Sequence, residues 1–209
     1  MALDFFYTLK EKKKTRILDA IEKCMQTSEY EKLSINDIAE EADISRGSFY
    51  NYFIDKNDAV ETLVREKISY ISDVFKSSII NNNYSLFDGI YFGYFQIKDT
   101  LQKNIFMTII NNLKFFIDTG IKIAYSKEYE GKFAKNIEWL IENTVEGKEI
   151  LNTREKMESV LDIIVSLITN LLLKIIISNN SDYNDTFNFK FNIIKAGIYN
   201  LKESQKSEH

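Results

Sequence analysis

The chain has 209 residues, with 27 Lys and Arg against 31 Asp and Glu, a formal net charge of -4, no proline, 7 glycines, one cysteine and one histidine. A lone Cys24 forms no internal disulfide, and with His209 as the only histidine a zinc site or a thiol–imidazole catalytic pair lacks ligands and partners, so disulfide scaffolding and structural zinc are excluded, and neither a cofactor nor an enzyme is expected. The acidic balance also excludes a generally basic coat, so any contact with nucleic acid must come from local placement of charge.

Leu, Ile, Lys and Glu recur at helical spacing and β-type alternation is hard to find, which gives an all-α chain. Met1 to Leu9 lacks the uninterrupted apolar run of a secretory signal, because Asp4 breaks it and lysines follow; the expected location is cytoplasmic. A first helix is expected from about Lys10 to Gln26, with Ile17, Leu18, Ile21 and Met25 on one stripe. Ser34 and Asp37 make a short capping box for a second helix that buries Ile35, Ile38, Ala39 and Ala42. Asp43 is the expected left-handed turn residue, and Ser45 caps a third helix running to Phe53.

Asp55 caps a fourth helix, Lys56 to about Ile80, and Asn81 to Asn83 break it. Aromatic residues are dense from Ser85 onward and build the core of a larger body. Gly147 is the expected end of a helix reaching back to about Leu113, and Asn152 with Glu155 reads as the capping box of the next, which runs to about Ser178. Phe187, Phe191, Ile194, Ile198 and Leu201 share one stripe of a last helix, with Lys202 to His209 as a solvated tail. The expected domains are 1–55, a linking helix 56–80, and 81–209.

Ser34 to Lys56, SINDIAEEADISRGSFYNYFIDK, carries the function. Two short helices joined by a tight turn, the second apolar inside and polar outside, fit a DNA major groove. Phe49 and Phe53 lie one turn apart and can pin the second helix, leaving Arg46, Ser48, Tyr50, Asn51 and Tyr52 with hydrogen-bonding tips outward; at least one of the two tyrosines must face out. Gly47 has no side chain to hold the backbone off a neighbouring surface. Lys10, Lys12, Lys13, Lys14 and Arg16 supply the positive charge that the whole chain lacks.

The run from Ile38 to Lys56 resembles the signature of the tetracycline-repressor (TetR) family, with Ala39, Ala42, Ile44, Ser45, Gly47, Phe49, Tyr50, Tyr52, Phe53 and Lys56 in matching places. Ile17, Leu18, Ala20, Tyr30, Ser34 and Ile35 extend it upstream; Glu29, Asp43, Ser48 and Ala59 depart from it. The resemblance implies a three-helix helix-turn-helix head on a larger effector-binding and dimerisation domain. It implies Ser34, Ser48 and Tyr50 as phosphate-contacting hydroxyls, Asn36 and Arg46 as base readers, and Lys56 as a phosphate clamp, with Ser45, Gly47, Asn51 and Tyr52 in the same DNA-binding set.

The segment from Leu161 to Ile177 is apolar on more than one face, as a helix buried on two sides would be, and too short and polar for a membrane span. The resemblance makes it half of a homodimer interface with Leu161, Val165, Ile168, Leu172, Ile175, Phe187, Phe191, Ile194 and Ile198; a core helix of a monomer is the plain alternative. Phe92, Phe95, Phe106, Phe116 and Trp139 are candidate liners of a pocket for an apolar or aromatic effector. The expected function is a transcriptional repressor released from a palindromic duplex operator by that effector. An activator fits the sequence equally, and the competing class is an adaptor that uses the head to bind protein.

Overall fold

The computed structural model describes residues 3–100, 112, 119, 123, 126–178 and 183–207. These hold ten α-helices and no strand: α1 Asp4–Tyr7, α2 Glu11–Thr27, α3 Ile35–Glu41, α4 Arg46–Tyr52, α5 Lys56–Asn81, α6 Leu86–Thr100, α7 Lys127–Asn143, α8 Val145–Glu149, α9 Arg154–Ser178 and α10 Asn184–Ser207. The chain divides into two compact units, Met1–Ile71 with Leu101–Ser126, and Ser72–Thr100 with Lys127–His209. The first division falls inside α5, whereas the sequence places domain boundaries at its two ends.

In the first unit α2 turns Ile17, Ala20, Ile21, Cys24 and Met25 inward. Against them pack Ile38 and Ala42, Phe49 and Phe53, and Ala59, Val60 and Leu63 from the start of α5. The turns follow from side-chain chemistry. Ser34 Oγ accepts from Asp37 N–H while the Asp37 carboxylate accepts from Ser34 N–H at 2.9 Å, a reciprocal box. Asp43 adopts φ 50°, as expected of the turn residue, and Ser45 Oγ accepts from Ser48 N–H at 3.0 Å to open α4. Asp55 accepts from Asp58 N–H at 2.8 Å and caps α5. Each such cap stabilises a helix end by about 1 kcal/mol, which matters for helices of only two turns.

The sequence pattern gave no sign of α1. Its Phe6 is fully buried in the head core beside Phe53, and Leu3 N–H donates to Tyr52 C=O at 2.9 Å. The signal available was the apolar group Leu3, Phe5 and Phe6 on either side of Asp4, too short for a helical period to show.

In the second unit α6, α7, α9 and α10 surround a core of Ile79, Leu86, Phe87, Ile90, Tyr94, Ile164 and Phe187 among others. The buried Glu146 carboxylate accepts from Leu86 N–H at 2.8 Å and from the Tyr199 hydroxyl at 2.6 Å, tying α8 to the start of α6 and to α10. Burial, then this bond, pushes the Tyr199 phenol well above its ordinary range. At the surface Lys195 bonds Asp88 at 2.8 Å, and that bond holds the Asp88 carboxyl below the usual carboxylate range.

Three expected helix ends differ. Gly147 does not terminate a long helix: Asn143 ends α7, Thr144 caps α8 by accepting from Gly147 N–H at 2.9 Å, and Gly147 sits buried inside α8 where a Cβ would strike the Leu140 carbonyl. Thr153, not Asn152, caps α9, accepting from Lys156 N–H at 3.3 Å. The last helix runs on to Ser207, since Lys, Glu and Gln are good helix formers even without a face to bury.

Gly89 and Gly93 lie one turn apart on α6 and let it close on α5. A Cβ at Gly89 would overlap the Ile79 backbone, and one at Gly93 would lie 2.6 Å from Phe75 Cδ1. Gly131, on the exposed face of α7, has nothing within 4 Å of an added Cβ. Gly89→Ala should therefore cost about 1 to 3 kcal/mol through overpacking, while Gly131→Ala should raise stability by up to about 1 kcal/mol through helix propensity. Urea denaturation midpoints of the two variants check both signs.

Candidate nucleic-acid interface

A seven-residue helix such as α4 does not hold itself together in water. Phe49 and Phe53 anchor it; both are fully buried, with ring centroids 5.2 Å apart. With that face fixed, Arg46, Gly47, Tyr50 and Asn51 fall on the exposed side and Ser48 is half-buried. Arg46 reaches across to α3, donating to Asn36 Oδ1 at 2.9 Å and to the Tyr50 hydroxyl at 3.3 Å, with its guanidinium 5.8 Å from the Tyr50 ring centre. Three of the expected contact residues thus form one exposed network that joins both helices of the motif. Both fork ends of the guanidinium are already oriented before any ligand arrives, which reduces the ordering cost of binding.

Tyr52 departs from expectation. It is 3% exposed against 42% for Tyr50, its ring stacks on Phe5 at 5.8 Å, and the Lys13 ammonium stands 5.4 Å over it. Of the two tyrosines Tyr50 is the outward one, and Tyr52 is a packing residue that α1 covers. Ser34, Ser45 and Ser48 spend hydroxyl lone pairs on caps, with Ser45 and Ser48 2.9 Å apart, although each remains at the surface or half-buried. Gly47 meets nothing nearer an added Cβ than Ser45 Oγ at 3.8 Å, so packing within the chain does not demand a glycine there.

Lys56 is more engaged than a free phosphate clamp. Its ammonium donates to Tyr30 C=O at 2.8 Å and lies 4.3 Å over the Tyr30 ring. The Tyr30 backbone N–H donates to Asn112 Oδ1, and Asn112 Nδ2 donates to Met25 C=O at 2.9 Å. Lys56 therefore fixes the loop between α2 and α3 and has two of its three N–H bonds left for an anion.

The basic run is partly internal too. Lys14 pairs with Glu66 at 3.0 Å and Arg16 with Asp43 at 3.3 Å, the latter well exposed and worth little to stability. Lys10 and Lys12 are exposed and have no partner among the described residues. They border a shallow surface hollow on α2 with Arg16, Lys23 and Glu41. Arg16 and Lys23 pair with Asp43 and Glu41 and so neutralise part of the negative charge near the head, at the expense of their own positive charge.

In the second unit an apolar cavity of about 170 Å³ opens between α5, α6, α7 and α9, with Trp139 in its wall. Of the expected pocket liners only Trp139 is placed there. Phe92 is 54% exposed, Phe95 packs on Tyr91, Tyr94 and Phe187, and Phe106 and Phe116 lie outside the described residues. Leu161, Val165 and Ile168, expected at an interface between copies, border this cavity; Leu161 and Ile168 are half-buried there, whereas Val165 is 57% exposed and remains open to a second copy. Ile175, Phe187 and Phe191 are buried in the unit's own core and offer nothing to a second copy, while Leu172, Ile194 and Ile198 are half-buried against that core. The large apolar groups left outside are Ile163, Val165 and Leu173 on α9 and Phe189, Ile193 and Leu201 on α10. A period of 3.6 residues puts these one step round the helix from the buried set, a difference that an all-apolar stretch conceals.

No described helix is long and apolar enough to cross a membrane, and no group of three or more His, Cys, Asp or Glu among the described residues could hold a metal ion.

Two capped helices at a tight turn, the second pinned by aromatics and bearing an exposed Asn–Arg–Tyr network, define a helix-turn-helix DNA-binding head. Residues 17–63 match the model of the bacterial regulatory proteins of the tetR family. The head, residues 17–63, is thus similar to the DNA-binding domain of the tetR family of bacterial regulatory proteins. No curated protein matches the chain. Among solved structures a TetR family transcriptional regulator from Chloroflexus aurantiacus J-10-FL is 19% identical over 98% of both chains, with a TM-score of 0.41, too loose a likeness to carry residue roles across.

Cys24 lies within the head core, and burial, helped by the Glu41 and Asp37 carboxylates, pushes its thiol up to about 11. Only about one thiol in a thousand is then ionised at pH 8, and the thiolate is the reactive form. Iodoacetamide at pH 8 should leave the folded protein unlabelled for hours and label it within minutes in urea, as intact-mass measurement would show.

Proposed function

We propose that the chain is a homodimeric repressor whose two heads grip a palindromic duplex and let go when a small apolar ligand enters the second unit. The observation that carries the DNA-reading half is the exposed Asn36–Arg46–Tyr50 network on a helix whose opposite face is locked into the core. In this reading Arg46 and Asn36 read base edges, and Tyr50, Ser34, Ser45, Ser48 and Asn51 bond phosphates or neighbouring bases. Gly47 admits the duplex backbone closely, and Lys10, Lys12 and the spare N–H bonds of Lys56 add phosphate contacts. By role, residues 1–55 read DNA, 56–80 link, and 81–209 hold ligand and partner copy. The link is α5, which is common to both compact units, so a ligand that tilts it misplaces reading helices that must stand ~34 Å apart on the duplex.

The second copy is expected on the exposed face of α10, where Phe189 is 70% and Ile193 57% exposed and Ala196 and Gly197 allow close helix approach. Bare apolar side chains of this size on one helix face are unusual in a monomer and mark a contact surface.

Selection from a random duplex pool should return a palindrome. Against it Arg46→Ala should lose preference at one position of each half-site, at roughly 1 to 3 kcal/mol, whereas Lys12→Ala should weaken all sequences alike and flatten the salt dependence by about one unit for each phosphate left without its ammonium. Recovery of no preferred sequence would sink the DNA-reading roles. Ile193→Glu should sediment as a monomer with unchanged helix content, because Ile193 is already in water in the single chain; a dimer that survives this change would overturn the α10 interface.

A further inference from the structure

The chemistry of the cavity names a ligand class, an inference that rests on the ligand-release reading above. Its floor is apolar: Ile79, Leu86, Ile90 and Ile164 are all buried. Its rim is not. Lys76 and Asn136 are exposed at the opening, and Asn136 Nδ2 donates to Ser72 Oγ at 3.3 Å across it. The Lys76 ammonium lies 4.6 Å over the Trp139 ring and has no carboxylate partner among the described residues. A cation resting on an aromatic wall, with an apolar hollow below it and no counter-charge, is a place where a ligand's negative charge is stabilised and a positive one is repelled.

Size narrows the class further. A dry cavity of about 150 Å³ accepts benzene, and this one is about 170 Å³. That volume seats one ring, or an aliphatic chain of about six to eight carbons. We infer that the cavity takes a small amphipathic monoanion, a medium-chain or single-ring carboxylate, with its apolar part on the isoleucine and leucine floor and its carboxylate on Lys76 between Asn136 and Ser72. A carboxylate fits these donors by charge and by geometry, since one oxygen accepts from the ammonium while the other accepts from the Asn136 amide. The neutral alcohol of the same length gains burial and one hydrogen bond without the charge pairing, and the amine meets Lys76 with like charge.

Trp139 is the single tryptophan of the chain, so its emission reports on this cavity alone. Full-length protein is titrated with octanoate, octan-1-ol and octylamine at low salt, with isothermal calorimetry alongside. Octanoate is expected to shift Trp139 emission saturably, to bind at least about five-fold more tightly than octan-1-ol, and to exceed octylamine by more. Lys76→Met is expected to abolish the octanoate preference and leave octan-1-ol binding intact, which separates lost charge from lost fold. Equal binding of octanoate and octan-1-ol, tighter octylamine binding, or a preference that survives Lys76→Met overturns the anion inference. If octan-1-ol binds and weakens the operator complex in that case, the ligand-release reading stands without it. If none of the three binds by either readout, both fall together.

Discussion

The burial of Phe49 and Phe53 is the constraint from which the head follows. A helix of seven residues has too few internal hydrogen bonds to offset its own ordering, so it exists only because two aromatic rings, each worth about 2 to 3 kcal/mol when buried, hold one face down. Once that face is fixed, helical geometry decides the rest. Arg46 and Tyr50, one turn apart, must point outward together, and Tyr52 must point sideways into the reach of α1. The exposed network is thus a by-product of the core.

Capping chemistry made the head legible in the sequence. Ser34 with Asp37, Ser45, Asp55 and the left-handed Asp43 each perform the local task that their side chains allow, and the structure finds all four where the pattern puts them. Helix ends in the second unit were less legible because their competitors sit close together: Thr153 and Asn152 are both good caps, and Gly147 suits a helix end or a tight interior contact equally. Only tertiary packing against Leu140 selects between them. Lys56 shows the same limit at a site residue, since the carbonyl and ring of Tyr30 that occupy it come from 26 residues away.

The faces of α9 and α10 illustrate a different kind of ambiguity. On α9, where apolar residues dominate from Leu161 to Ile177, hydrophobic pattern no longer distinguishes inside from outside, and the expected stripes of both helices face the cavity and the core except at Val165 and Leu201. The exposed set is Ile163, Val165, Leu173, Phe189, Ile193 and Leu201, of which only Val165 and Leu201 belong to the stripes expected from sequence. The cavity takes a wall from α9 and none from α10, so filling it need not remove the bare side chains of α10.

The Asn112 contacts bear on modularity. Its side chain takes the backbone N–H of Tyr30 and gives to the carbonyl of Met25 from more than 80 positions along the chain, and residues 101–126 count with the head's compact unit. The reading head is therefore not a transplantable cassette. A chimera that joins residues 1–63 to a foreign body would carry every side chain of the DNA-facing network and still lack the amide that seats the α2–α3 loop, so exchange of heads between regulators is constrained by a residue that no head-only alignment contains.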